Sequence, residues 1–273
     1  GWKNFTNWMH VGGLDNVLFT PNGKLHRLLT HLSFKNLLHP FQPFIIGQRI
    51  IGPKIAEKFD IPLVIYGENQ AEYGNNIDEN YNPIMSLDFF SDNDPNPTFG
   101  GIKMNEIIKN YNFKPNDFEP YRPINKDSVK SKDIKVFYLG YFLKWDPQEC
   151  FYYASRNTGF KSNTERTEGS YSKYSSIDDK IDPFHYYTTY IKFGIGRATY
   201  DASQEIRNDK ITREEGVSLV KKYDHEFPKK YFNLFLKFCG IKESDFNKII
   251  DSWRSPHIWK KEKNQWKLIN PVY

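Results

Sequence analysis

Two short apolar runs and a long tail of helical periodicity organise this chain. The runs are Ile-Pro-Leu-Val-Ile-Tyr at 61–66 and Ile-Lys-Val-Phe-Tyr-Leu at 134–139. Each is rich in β-branched or aromatic residues, is closed by Gly, and has the length of a strand buried on both faces in a parallel sheet. Residues 17–20 are a third strand candidate. Leu25, Leu28, Leu29 and Leu32 recur at helical spacing after the Pro21-Asn22-Gly23 turn and predict a helix. A second helix is predicted over 46–59, starting or kinking at Gly52-Pro53. His39-Pro-Phe-Gln-Pro-Phe44 reads as a stiff connector, because each Pro fixes its own φ and restricts its predecessor. Residues 75–97 read as a long loop, 100–111 as a short helix and 115–133 as irregular.

From Asp146 onward the pattern is almost wholly helical. Asp146-Pro147-Gln148-Glu149 is a helix start with a capping Asp and Pro at the first position. Asp182-Pro183 opens another helix, and Thr212-Arg-Glu-Glu215 forms a capping box. Tyr231, Leu234, Phe235 and Phe238 share one face, as do Phe246, Ile249, Ile250 and Trp253, and both sets read as core. The expected fold class is α/β, with a parallel sheet over 1–140 followed by a mainly helical region over 141–273.

Composition sharpens this picture in three places. Aromatic residues make up 17% of the 273, with 18 Tyr and 22 Phe, so the interior must be largely aromatic. The net charge of +5 comes from 38 basic and 33 acidic side chains. That mixture lacks the concentrated basic stripe of a nucleic-acid binder and equally suits a small anionic substrate. Cys150 and Cys239 are the only cysteines and form no CxxC pair, which speaks against a disulfide framework or a Cys-rich zinc site. No apolar run is long enough to span a bilayer and no signal peptide is visible, so the expected location is the cytoplasm, with no membrane and no nucleic acid as partner.

Candidate chemistry falls into four clusters. In open α/β sheets ligands bind beyond the carboxyl ends of the strands. Gly67, Glu68, Asn69, Gln70, Glu72 and Tyr73 follow the first run, with more carboxylate and amide groups than a turn needs. His39, Gln42 and Gln48 lie just upstream, and groups of this kind are more often structural hydrogen-bond partners. Glu165, Arg166, Glu168 and Lys173 form a charged stretch, for which a solvated surface is the commoner explanation. The richest cluster runs from Asp178, Asp179 and Lys180 through Asp182 and His185 to Gly194-Ile-Gly196-Arg197. Asp182 is placed to cap a helix whose first turn carries His185, and the positive helix end disfavours a protonated imidazole. Arg197 could grip phosphate or carboxylate with its fork, or pair with Asp201 at i+4. No Ser-His-Asp triad or metal motif is present. Val11-Gly-Gly-Leu-Asp-Asn16 looks superficially like a phosphate loop, but its strand candidate follows the glycines rather than preceding them.

These segments together resemble the N-acetyl sugar amidotransferases of the PP-loop ATP pyrophosphatase superfamily. The resemblance rests on His39-Pro-Phe-Gln-Pro-Phe44, Tyr66-Gly-Glu-Asn-Gln-Ala-Glu-Tyr-Gly74, Gly140-Tyr-Phe-Leu-Lys-Trp-Asp-Pro147, Glu165-Arg-Thr-Glu-Gly169, Tyr171-Ser-Lys-Tyr174, Asp178-Asp-Lys-Ile-Asp-Pro-Phe-His-Tyr-Tyr187 and Phe193-Gly-Ile-Gly-Arg197. Ile211-Thr-Arg-Glu-Glu-Gly216 and Glu226-Phe-Pro228 continue it, so it covers nearly the whole chain. The superfamily's Ser-Gly-Gly-x-Asp-Ser loop and the Cys pairs upstream of it are absent, and the resemblance implies an N-terminally truncated chain.

The resemblance implies a partial PP-loop sheet of the adenine nucleotide alpha hydrolase type. It implies ATP and Mg²⁺ as cofactors and an N-acetylated sugar of the pseudaminic or legionaminic acid type, or of O-antigen, as substrate. ATP would activate the acetamido oxygen as an adenylate with release of pyrophosphate. Ammonia from a partner glutaminase would then displace AMP, leaving an acetamidine in a lipopolysaccharide or flagellin glycan precursor. By the same analogy Gly67, Glu68 and Asn69 lie at the nucleotide, with Glu68 a possible Mg²⁺ ligand. Lys173, Arg197, Glu72, Tyr73, Gln42 and Gln48 are expected at phosphate or substrate, and His185, Asp179 and Lys180 at the chemistry. A homo-oligomer is compatible with this reading. Two other readings stay open: another PP-loop ATP-dependent ligase acting on a nucleotide or tRNA, and a non-catalytic carbohydrate-binding module.

Overall fold

The computed structural model describes residues 1–68 and 81–273. They form two compact units, the first of residues 1–18, 37–41 and 146–273, the second of residues 19–36 and 42–145. The architecture is mixed α/β with a small parallel sheet and a helical C-terminal region. Among the described residues no helix is long and apolar enough to cross a membrane.

Helix α1 spans Trp2–Gly12, α2 Gly23–Leu37, and α3 Gln42–Lys58. Strand β1, Leu63–Tyr66, pairs in parallel with β4, Lys135–Tyr138, in the register Leu63↔Lys135 to Tyr66↔Tyr138. Between them lie the tight β2–β3 hairpin (Thr98–Phe99, Ile102–Lys103), α4 (Met104–Tyr111) and α5 (Lys126–Ser131). Helix α5 falls within the stretch expected to be irregular, and it forms because the Asn125 side chain accepts from the N–H groups of Asp127 and Ser128. The outer edge of β4 is held by Met85 N–H donating to Val136 O and Tyr138 N–H to Pro83 O, at 2.8 and 3.0 Å.

The second unit has two apolar clusters. Ile50, Ala56, Met85, Phe90, Ile124, Val129, Ile134 and Val136 pack α3 against one face of the sheet. Leu25, Leu29 and Leu32 of α2 meet Phe99, Met104, Ile107, Phe118 and Tyr121. The expectation that β1 is buried on both faces is corrected. Leu63 and Ile65 are 50% and 55% exposed, because α3 covers only the side to which Val64 and Tyr66 point.

Three further expectations are corrected. Residues 17–20 form no strand: these exposed positions join no ladder, and an apolar run without a partner cannot satisfy its backbone as a strand. Helix α3 begins at Gln42 rather than in the 46–53 region, since Pro43 in its first turn lacks only an N–H that has no intrahelical acceptor. It then continues through Pro53. Pro53 cannot donate to Arg49 O, and the Tyr66 hydroxyl donates there instead at 2.9 Å, and also to Gln48 O at 2.9 Å. Gly52 leaves room for this, as a Cβ there would stand 3.3 Å from Val64 Cγ1 and 3.4 Å from the Tyr66 oxygen.

In the first unit α6 (Pro147–Asn157) starts as expected, with Asp146 accepting from Gln148 and Glu149 N–H. Helices α7 (Asp182–Phe193), α8 (Arg197–Arg207), α9 (Arg213–Tyr223), α10 (Phe232–Cys239) and α11 (Glu243–Ser252) follow. The Thr212–Glu215 capping box opens α9. The region is less helical than its periodicity suggests. Residues 158–181 contain no helix, and β5 (Trp259–Glu262) and β6 (Gln265–Leu268) form a hairpin over Lys263-Asn264, both at positive φ. On α10 the buried side chains are Phe235 and Cys239, whereas Leu234 is exposed. Phe184 stacks on Phe235 at 4.2 Å, and Phe246 closes the cluster at 5.9 Å from Phe235. The Asn4 and Asn7 side chains fasten α1 to the backbone of Lys161 and Gly159.

The Tyr66–Pro53 arrangement predicts a specific coupling. Tyr66→Phe should cost about 1–2 kcal/mol, because it leaves Arg49 O unsatisfied. In a Pro53→Ala background, where the backbone regains a donor, the same change should cost measurably less. Urea unfolding of the four proteins checks this, and equal costs in both backgrounds would contradict the assignment.

Candidate functional site

The charged clusters of the first unit converge on the non-helical stretch 158–181 and the starts of α7 and α8. Helix α8 begins at Gly196-Arg197, and its start is held by Asp224, the residue that follows α9. Gly196 N–H donates to Asp224 Oδ2 at 2.8 Å, Thr199 N–H to Oδ1 at 2.9 Å, and the Thr199 hydroxyl to Oδ2 at 2.6 Å. A Cβ at Gly196 would stand 2.8 Å from Asp224 O and 2.9 Å from Oδ1, so only glycine admits this approach. Burial raises the Asp224 carboxyl, and these hydrogen bonds oppose the rise.

Arg197 is fixed in turn. Its Nε donates to Asp201 Oδ1 at 2.7 Å, Asp201 Oδ2 accepts from Ser170 Oγ at 2.5 Å, and the guanidinium lies 5.2 Å over the Tyr186 ring. Burial works against its charge, but Asp201, Tyr186 and Asp182 outweigh it and hold the pKa above the usual value. The i+4 pairing is therefore formed. One Nη makes only a long 3.4 Å contact to Ser175 Oγ, and the side chain keeps 30% exposure. A fork tied at Nε with its outer edge turned to a serine-lined surface can take a carboxylate or phosphate oxygen.

Asp182 does not cap α7: the cap position is Ile181, with no side-chain bond. Its carboxylate instead accepts from the Ser176 hydroxyl and, at 3.1 Å, from the Tyr186 hydroxyl. Burial pushes its pKa up to about 6 against the pull of Ser176, Arg197 and Tyr186. His185 lies beside it with ring centroids 4.8 Å from His39 and 5.6 Å from Phe41, both nearly parallel. Burial first, then His39 and Arg197, drive its pKa down to about 3, and its Nδ1 is buried without a hydrogen bond. The imidazole is neutral and a poor proton acceptor at physiological pH.

The stretch carrying Glu165, Arg166 and Glu168 is a clamp rather than a solvated loop. Arg166 makes a two-pronged bond to Glu226 at 2.6 and 2.6 Å and stacks 4.7 Å over Tyr223. Gly169 N–H also donates to Glu226, at 2.9 Å. Glu168 accepts from the N–H groups of Lys229 and Lys230, both at 3.1 Å. Lys173 is exposed, with its own carbonyl accepting from Asn163. Asp179 accepts from Ile181 N–H at 2.5 Å, and the exposed Lys180 lies 5.6 Å over the Tyr231 ring.

The remaining candidates belong to the second unit. Gln42 Oε1 accepts from Ser33 Oγ and Gly100 N–H at 3.0 and 3.2 Å, a structural bridge. Gln48 is exposed. Gly67 has open space around it. Glu68 is half-buried, its carboxyl raised by burial against the nearby Arg49, and its carbonyl accepts from Gly140 N–H at 3.0 Å. Asn69, Glu72 and Tyr73 lie outside the described residues. The structure thus brings together His185, Asp179, Lys180 and Arg197 within one unit, and assigns Glu68 to the other. Asp224, Ser176 and Tyr186 were not anticipated. The run Ser170, Ser172, Ser175, Ser176 before Asp182 was the available signal, since clustered hydroxyls mark side-chain-bonded turns.

With this geometry in place, the similarity of the C-terminal region becomes informative. Residues 168–273 match the family described as LPS biosynthesis protein WbpG-like, C-terminal domain. The match runs from the Glu168 clamp through Asp182, His185 and Arg197 to the terminal hairpin, and what it suggests of function is LPS biosynthesis. No curated protein is significantly similar to the chain.

Asp182 makes a pH-dependent contribution whose sign is fixed by its raised pKa. The folded protein holds this proton up to about pH 6 while the unfolded chain releases it near the ordinary value of 3.8. Its contribution to stability is therefore full below about pH 4, falls as pH rises to about 6, and is flat above. The melting temperature of wild type minus that of Asp182→Asn should fall across that window and stay constant from pH 7 upward. A difference that grows with pH would overturn the assignment.

Proposed function

We propose that this chain acts in an ATP-dependent amidotransferase that converts a sugar acetamido group to acetamidino during bacterial surface-glycan synthesis. The observation that carries the reading is the lipopolysaccharide-biosynthesis match over 168–273, laid on the stretch that holds Arg197, Asp182 and Lys180. The segment-by-segment resemblance to N-acetyl sugar amidotransferases supplies the reaction class. ATP, when bound, supplies the activation that lets the acetamido oxygen leave with AMP after pyrophosphate is released.

The chain's own groups have definite tasks in this reading. Arg197, anchored through Asp201, holds an anionic part of the substrate. Asp182, poised near neutral pH, is better matched than His185 to accept a proton as ammonia becomes amidine. Glu68 offers one carboxylate to Mg²⁺, which commonly takes one or two carboxylates plus phosphate oxygens. Among the described residues no group of three or more His, Cys, Asp or Glu side chains could hold a metal by itself, which fits an ion carried largely by the nucleotide. Ammonia comes from a partner glutaminase, and the assembly works in the cytoplasm.

The test is turnover of an N-acetylated acidic sugar with ATP, Mg²⁺ and ammonium salt, followed by mass spectrometry. Exchange of one oxygen for N–H, with AMP and pyrophosphate released, is expected. Arg197→Lys, which keeps the charge and loses the fork, should lower the rate by about tenfold to a hundredfold. Sugar binding without ATP binding in calorimetry favours a carbohydrate-binding module, and RNA binding favours a tRNA-directed ligase.

A further inference from the structure

Within the first unit lies a cavity of about 200 Å³. Its walls come from 163–168 and 176–180, with Pro183, Lys230 and Tyr231 opposite. Most charges lining it are already spoken for. Arg166 is bound to Glu226, Glu168 to two backbone N–H groups, and Asp179 to Ile181 N–H. Two are not. Lys180 has no carboxylate partner among the described residues, its ammonium resting 5.6 Å from the Tyr231 ring centroid. Asp178 is exposed, with no hydrogen-bond or ion-pair partner among the described residues. The Lys230 ammonium lies at the same 5.6 Å from the Tyr231 centroid, held only by the largely exposed Glu165 at 2.7 Å. Exposed pairs of that kind are weak and readily exchanged.

We propose that this cavity is a binding site for one small polyhydroxylated anion, a single acidic or phosphorylated sugar unit, with its charged group between Lys180 and Lys230 beside Tyr231. Three features of the cavity select this class. Two ammonium groups, each 5.6 Å from the Tyr231 ring centroid, are cationic partners for a carboxylate or phosphate oxygen. The opposite wall offers the Asp178 carboxylate and the oxygen of the Ser176 hydroxyl, whose proton goes to Asp182, and both suit sugar hydroxyl groups as acceptors. The volume is below the roughly 300–1,000 Å³ of sites for drug-sized ligands, so it takes one ring and not a nucleotide or an oligosaccharide. Ser176 also bonds Asp182, so a ligand here reaches the residue whose pKa lies near neutrality. The choice of a sugar over other hydroxylated anions rests on the reading in Proposed function, and the site itself does not.

Calorimetry of the full chain with three probes tests this. N-acetylneuraminic acid carries a carboxylate, N-acetylglucosamine 1-phosphate a phosphate, and N-acetylglucosamine no charge. At least one acidic probe should bind about tenfold or more tighter than the neutral one, and which acid prevails identifies the anion. Lys180→Ala and Tyr231→Ala should each weaken that binding about tenfold, while Lys237→Ala on the exposed face of α10 leaves it unchanged. Since Lys180 is exposed, its variant keeps the fold, and a melting curve checks each protein. Equal affinity for charged and neutral probes, an unaltered affinity in both variants, or no binding of either acid at about 10 mM overturns the site. Binding that obeys these rules without any amidine formation upholds the site and counts against the amidotransferase. Amidine formation with a KM indifferent to Lys180→Ala does the reverse.

Discussion

A carboxylate placed at 4% exposure between two helices is unfavourable unless every oxygen is bonded. Asp224 meets that condition by closing the N-terminus of α8, where three donors would otherwise be orphaned. The arrangement constrains sequence in both directions. Gly196 must lack a side chain for the carboxylate to approach, and Asp224 must follow α9 directly to reach it. That joint fixes the start of α8. It sets the first residue of α8, hence the origin of the Arg197 side chain, hence the Asp201–Ser170 relay that ties the 158–181 stretch to the helix. The Arg166–Glu226 pair, its acid two residues beyond Asp224, fastens the same stretch four residues before Ser170.

The second unit solves a comparable problem with a hydroxyl. A proline in the interior of α3 frees a carbonyl, and the last residue of β1 returns a donor to it. The exchange explains why Tyr rather than Phe ends β1, and why Gly52 precedes Pro53. It also sets the height at which β1 lies on α3, and with it the position of Glu68 two residues later.

Legibility in the sequence followed the range of the interactions. The two strands and the capped starts of α6 and α9 were readable, because each rests on residues within a few positions of one another. The exposure of Leu63 and Ile65 was not, since an apolar run cannot report which of its faces is covered. Residues 17–20 failed for the same reason, as a strand exists only with a partner. The charged cluster at 163–173 looked like solvated surface because Glu226, which bonds Arg166 and Gly169, lies 60 and 57 residues from them and carries no local signal. Asp182 was mistaken for a cap since Asp-Pro at a helix start has that signature. Its true partners, Ser176 and Tyr186, become visible only in three dimensions.

The contrast between His185 and Asp182 decides which of them suits proton transfer. A base must hold a proton long enough to be useful at the working pH, so its pKa should lie near that pH. Histidine starts closer, but His185 is buried against His39 and Phe41, and burial, His39 and the fixed charge of Arg197 all disfavour imidazolium. Asp182 starts further away, and the same burial moves it toward neutrality while Arg197 and two hydroxyls keep it from going further. One environment therefore displaces the two groups in opposite directions, the expected consequence of removing water from an acid and a base together. The carboxylate ends where a proton can be exchanged, and the imidazole ends as a neutral ring whose contribution is packing against His39 and Phe41.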